Sequence, residues 1–309
     1  MTTRLVFERV RRGLARVDGV MVASAMPAAV EGRPDDYRLA PSRLIEESAL
    51  RSHPLGPPVL CPDPLAFLDG TQRYEVVGDL EAAPVVAARI AAAVRLRTGG
   101  RFTTMERVER RILVARPEVL EAIGDAVTGF DPVPVDGAAD IHPLKALEHA
   151  HRAVDSARAA VERRVGAQFR QRHAAWLVVD GVISDAEVWA TDARTIGVSK
   201  SHATLPFGGA DLARYLSLPH GHRTSVFEPT TWRFTPPYSW GLRLWPFERR
   251  DLLHGLVRVE VAAVAGSVDR ADEISRWLMA ERVPLARPDP RWDRLLYGVA
   301  TVERHLRAR

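Results

Sequence analysis

The chain is 309 residues long, 46% hydrophobic and 27% charged, proportions that favour a packed core and exclude a disordered polymer. Its net charge is +4, and all its Lys and Arg residues except Lys145 and Lys200 are arginine. No apolar run approaches the length needed to cross a bilayer, so no membrane association is expected.

The N-terminus, from Met1 to Arg9, is too interrupted by charge for a secretory signal. Cys61 is the single cysteine, which excludes an internal disulfide and points to a reducing, cytoplasmic setting. The size suits one large domain carrying an insertion. We read residues 1–60 as a helical and irregular extension and 61–309 as the main domain, with a helical insertion over about 84–170.

In chain order, Leu5, Val6, Val10, Leu14 and Val17 recur at helical spacing among arginines. A proline- and arginine-rich stretch from Gly32 to Pro64 reads as irregular. The apolar run Leu65-Ala66-Phe67-Leu68 then ends on Asp69-Gly70, and Tyr74 to Gly78 reads as a second strand, so Asp-Gly also has the form of a hairpin turn. Alanine-rich residues 87–96 and the capping-box pattern of Thr103 to Glu106 predict helix. Residues 143–171 predict a long helix whose exposed face carries Arg158, Arg163, Arg164, Arg170 and Arg172. A second apolar run, Trp176-Leu177-Val178-Val179, ends on Asp180-Gly181. Strands follow near Ile196 to Val198, Trp240 to Leu244 and Leu256 to Val261, and helices at 269–279 and 291–306 close the chain.

Two acids at the ends of buried strands carry the chemical signal. A carboxylate beside a hydrophobic sheet is costly to ionise unless a cation is near, and Asp69 and Asp180 together can hold Mg²⁺ or Mn²⁺ through oxygen ligands. Glu162, on the long helix, is the candidate third acid, with a spaced Glu–Arg surface pair as its other reading; Glu148 and Asp155 share that helix. Lys200, one of two lysines in an arginine-dominated chain, follows Ile196-Gly197-Val198 and is placed to contact a phosphate. Such ions activate water and stabilise the leaving oxygen in phosphodiester cleavage. No nucleotide-binding glycine loop, dinucleotide fingerprint or serine-hydrolase elbow is present.

The order Asp-Gly strand, helix glutamate, Asp-Gly strand and Gly-Val-x-Lys, followed by Val257-Arg258-Val259-Glu260 and a C-terminal helix, resembles the NurA family of DNA-end-processing nucleases. The resemblance implies an α/β fold with an RNase H-like mixed sheet, flanking helices and a large helical insertion. It also implies a homodimer that cleaves single- and double-stranded DNA with Mn²⁺ (or Mg²⁺), as a 5′ to 3′ exonuclease and single-strand endonuclease, alongside a HerA-type hexameric ATPase, in DNA end processing or anti-phage defence. Asp69, Glu162, Asp180 and Lys200 match the family's catalytic positions. Tyr297 and His305 have the separation of its C-terminal tyrosine and histidine, which makes His305 a metal-ligand candidate; aligning the apolar positions instead puts Trp292 and Ala300 there. Arg163, Arg164 and Arg170 are the candidate DNA contacts. The alternatives are a catalytically weakened adaptor docked on the ATPase ring, or another RNase H-like nuclease.

Overall fold

Asp69-Gly70 ends no strand. In the computed structural model, which describes residues 3–23, 38–136, 141–247, 250–283 and 292–308, strand β1 runs unbroken from Leu65 to Leu80. The chain reverses instead at Glu81 and Ala82, whose φ values of 49° and 62° are those of a mirror-image two-residue turn. β2 (Ala83–Thr98) and β3 (Arg101–Ala115) follow, joined at Gly99-Gly100, where φ is 55° and 77°.

The helical reading of residues 84–115 is therefore corrected. The alanines of β2 are buried on both faces of the sheet, and pairing residues 86–97 with β1 on one side and β3 on the other satisfies their backbone groups. Helix propensity is a weak prior that such pairing overrides. Gly99-Gly100 between two apolar runs was the legible hairpin signal. Thr103 to Glu106, read as a helix cap, lies inside β3. Among the described residues of this region, helix is confined to Pro117–Ile123, a 3₁₀ turn, and α2 (Pro143–Arg172).

The predicted N-terminal helix forms as α1 (Thr3–Leu14), and the long helix as α2 (Pro143–Arg172). Beyond α2 come β4 (Trp176–Asp180), β5 (Thr195–Ser199), β6 (Pro237–Arg243), β7 (Leu256–Ala262), α3 (Ala271–Ala280) and α4 (Tyr297–Arg307). The central sheet has the order β6-β7-β5-β4-β1-β2-β3, extended by short strands. β1, β2 and β3 form an antiparallel meander, while β1, β4 and β5 run parallel. This mixed sheet with flanking helices has the β3-β2-β1-β4-β5 strand order of the RNase H-like arrangement.

Helices cover both faces, so the central strands read as continuous apolar runs. Ala150, Val154, Val161, Val165 and Phe169 of α2 pack on Leu68, Ile90 and Val179. On the opposite face α3 and α4 bury Phe67, Trp176 and Val178, with Trp176 set edge-on to Trp277 at 5.3 Å. Further along that face, Phe7, Val10 and Leu14 of α1 pack on Val77, Val85 and Ala87. Among the described residues no helix is long and apolar enough to cross a membrane.

Candidate active site

Sheet register brings the two Asp-Gly pairs together. Leu68 of β1 lies opposite Val179 of the parallel strand β4, so Asp69 and Asp180 follow as neighbours, about one strand spacing of ~4.8 Å apart. Side chains alternate along a strand, which puts Asp69 on the face of Leu65 and Phe67, and Gly70 on the face of Leu68. Asp69 is 7% exposed, and one of its oxygens accepts the Gly70 N–H at 2.8 Å.

Glu162 arrives from the other face. Its position on α2 lays its carboxylate against the backbone of Gly70, where a Cβ would stand 2.7 Å from Glu162 Cγ and overlap the carboxylate outright. Arg158, one helical turn earlier, is ion-paired with Glu162. The two sequence readings of Glu162, an acid of the site and half of an i,i+4 pair, thus hold at once. Gln72 ties the same helix to β1: it donates to Asp155 at 2.7 Å and accepts from Arg158 at 3.2 Å. Asp155 therefore supports the site from behind, and Glu148 pairs with Arg152 on the exposed side of α2.

Lys200, just beyond β5, donates from Nζ to Asp180 Oδ2 at 2.6 Å. The turn carrying Gly181 is seated on β5 and β7. Gly181 N–H donates to the Val198 carbonyl at 3.1 Å, and Gly197 carries no side chain where a Cβ would meet the Gly181 carbonyl at 2.8 Å. Glu260 of β7, 1% exposed, accepts the Ile183 N–H at 3.1 Å and pairs with Arg258 at 3.1 Å. Sequence reasoning noted Glu260 within a strand motif without seeing its role in holding the Asp180 turn.

Asp69, Gly70, Arg158, Asp180 and Lys200 line a cleft of about 520 Å³ that also receives Arg294, Arg307 and Glu303. Glu303 is the residue the sequence reading missed. It comes from α4, pairs with Arg307 at 2.5 Å and adds its charge to the field on Asp69. His305, expected there, instead has its ring beside Thr104 of β3, with Nε2 3.4 Å from Oγ1. Tyr297 stacks near Phe102 at 6.1 Å, Trp292 packs against Trp245, and Ala300 is buried. The signal for Glu303 was its position two residues before His305 on the same helix, unreadable without the helix rotation.

The candidate DNA contacts separate. Arg163 is close enough to Glu162 to favour its ionised form, and Arg164 is exposed on α2. Arg170 is committed to structure: it donates to the carbonyls of His173 at 2.9 Å and Ala175 at 2.5 Å and pairs with Asp192 at 2.8 Å.

Burial, then the neighbouring Asp180 carboxylate, pushes Asp69 well above the ordinary carboxylate range, against the pull of Lys200. Burial also raises Glu162, opposed by Arg158. The donor set is all carboxylate oxygen, the chemistry that suits Mg²⁺ or Mn²⁺. Among the described residues no three His, Cys, Asp or Glu side chains are arranged to hold a metal ion as they stand. Lys200 lies on Asp180 and Arg158 on Glu162. The donor types fit a divalent ion, which would compete with these two cations for the carboxylates.

Fold and cleft together define a mixed α/β protein with a carboxylate cluster on adjacent parallel strands, edged by lysine and arginine. No protein-family model matches the chain, and no curated protein matches it in sequence. Among solved structures it is similar to the crystal structure of the NurA nuclease from Sulfolobus solfataricus, at 10% identity and a TM-score of 0.48, over 81% of this chain and 80% of that one.

Proposed function

We propose that the chain is a metal-dependent nuclease that hydrolyses DNA phosphodiesters in this cleft. The observation that carries the proposal is the register that sets Asp69 beside Asp180 in a cation-edged cleft, with Glu303 on its wall and Glu162 against the backbone of Gly70. Like charges packed this way are held together at a cost in stability, which a divalent ion relieves.

Asp69, Asp180 and Glu162 would hold Mn²⁺ or Mg²⁺, with Glu303 as a fourth carboxylate from α4. Such an ion supplies an activated water and charge stabilisation at the leaving oxygen. The chain's own residues set the geometry. Register fixes Asp69 beside Asp180, Gly70 admits Glu162, and Glu260 pins the turn after Asp180. Lys200, released from Asp180, is positioned to meet a phosphate oxygen, and Arg294 and Arg307 offer bidentate contacts on the cleft wall.

The motif order read from the sequence supports a NurA-type role, with a homodimer and a HerA-type hexameric ATPase as partners in DNA end processing or anti-phage defence. The pairing of Lys200 and Arg158 with two of the acids favours one second reading, an adaptor that keeps the fold and docks on the ATPase. A single experiment decides. Purified chain is incubated with single- and double-stranded DNA and Mn²⁺, with and without a HerA-type ATPase, beside Asp69→Asn and Asp180→Asn. Cleavage by the wild type that falls at least about 100-fold in either variant supports the nuclease. Cleavage that is unchanged in the variants, or absent under both conditions, overturns it.

A further inference from the structure

The face of the sheet that bears Asp69 is covered at one end by α4 and at the other by α1, and the gap between them displays a row of arginines. Arg73 of β1, Arg89 of β2 and Arg111 of β3 are directly opposite one another across three strands. Arg107 is two pairs along on β3, in register with Ala93, which is opposite Asp69. Like charges in direct cross-strand register are unfavourable for the sheet. Two carboxylates temper this row. Glu109 chelates Arg89 through two contacts of 2.8 Å and also meets Arg107 at 3.1 Å. Glu75 is already engaged by Arg11 of α1 at 2.8 Å and lies 3.6 Å from Arg73. Four arginines thus share two acids, one of them largely claimed from elsewhere.

The row is continuous with the cleft. A cavity of about 320 Å³ lined by Arg73, Arg89 and Ala91 shares Thr71, Gln72 and Arg307 with the cleft that holds Asp69 and Asp180. Alternation along β1 puts Asp69, Thr71 and Arg73 on one face, so the row starts roughly 14 Å from the acids at ~3.4 Å per residue. Ala91 keeps the floor between them low.

We infer that this arginine row is a phosphate-binding track for the DNA strand that flanks the scissile bond, an inference that rests on the nuclease reading of the cleft. Backbone phosphates are the occupant the charges select: Arg73, 58% exposed, is the open end of the row, while Arg89 and Arg107, 13% and 19% exposed, share the single carboxylate of Glu109 and leave the row with net positive charge. A base-reading role is not required, since phosphate contacts position a strand without specifying sequence.

The test compares wild type with Arg73→Gln and with the triple variant Arg73→Gln, Arg89→Gln, Arg111→Gln. Binding of a 30-nucleotide single strand is measured without divalent ions across a salt series, and Mn²⁺-dependent hydrolysis is measured on that strand and on a small chromogenic phosphodiester that occupies the cleft alone. The triple variant is expected to bind the strand at least tenfold more weakly and to lose about 2 units of the slope of log K against log salt, with the single variant losing about 0.7. Hydrolysis of the small diester is expected to stay within about twofold of wild type. Strand binding and salt slope unchanged in the exposed Arg73→Gln variant would overturn the track whatever the triple variant does. A wild type that hydrolyses neither substrate fails the nuclease reading instead, while the binding series still reports on the track.

Discussion

Gly70 and Glu162 share one space: the helix carboxylate lies where the strand residue would carry its side chain. This juxtaposition lets acids reach the same point of β1 from both faces of the sheet, Asp69 from one and Glu162 from the other. Substituting Gly70→Ala removes the space at little cost to the strand, since alanine is favoured over glycine within a strand by roughly 0.5–1 kcal/mol. The displaced atoms run from Glu162 Cγ to its carboxylate, so the whole side chain must swing off β1 and leave Arg158, and the fold is expected to survive with a lowered Tm. Mn²⁺-dependent cleavage should drop at least about tenfold, and a Gly70→Ala variant with full activity would remove Glu162 from the site.

Glu303, rather than His305, is expected to complete the acidic cluster from α4. Glu303→Gln should weaken activation by Mn²⁺, seen as a rise of about tenfold in the concentration giving half-maximal cleavage. His305→Ala, whose ring stands beside Thr104, should leave that concentration within about twofold. The reverse pattern would restore the histidine as the C-terminal ligand.

The pH dependence of stability follows from the sign of the shifts. Asp69 is pushed well above the ordinary carboxylate range by burial and by Asp180, and Glu162 is raised by burial. The folded state therefore holds these protons more tightly than the unfolded chain. The stability they contribute is fully present below the unfolded carboxylate value of about 4 and is lost as pH rises through the elevated folded values. Without divalent ions, Tm of the wild type should decline across that window, while Asp69→Asn, which cannot ionise there, should melt higher at neutral pH and show a flatter profile. Adding Mn²⁺ should raise Tm at neutral pH in the wild type and much less in the variant. Parallel thermal-melt profiles for the two proteins would show that Asp69 is not under this strain.

Glu260 is expected to act through the turn it holds. Glu260→Ala leaves Arg258 without its partner and frees the Ile183 N–H, a loss of about 3 kcal/mol in denaturant unfolding. Glu260→Gln keeps an acceptor for the turn and should recover a large part of both stability and cleavage rate at saturating Mn²⁺. Equal behaviour of the two variants would mean that Glu260 contributes charge to the cleft instead of positioning Asp180.

Local periodicity made α1, α2, β4 and β5 legible from residues alone, because each buries one clear stripe or one short apolar run. The same reasoning failed for β2. Its alanines satisfy a helix and a doubly covered strand equally well, and only their pairing with β1 and β3 separates the two. Asp69 was found for a partly mistaken reason, as a strand end, whereas it lies within β1 where the neighbouring strand β4 stops.

What the residues settled by themselves was the chemistry on offer: two acids at the edge of apolar runs, a rare lysine, and a helix acid with an arginine one turn away. Those features are local in sequence. Which groups meet was decided by tertiary structure alone. Parallel register set Asp69 beside Asp180, the crossing of α2 brought Glu162 over Gly70, and the rotation of α4 turned Glu303 into the cleft in place of His305. The physical reason is that a helix face or a strand register depends on packing against partners distant in sequence, and a shift of one or two residues there replaces one side chain in the site with another.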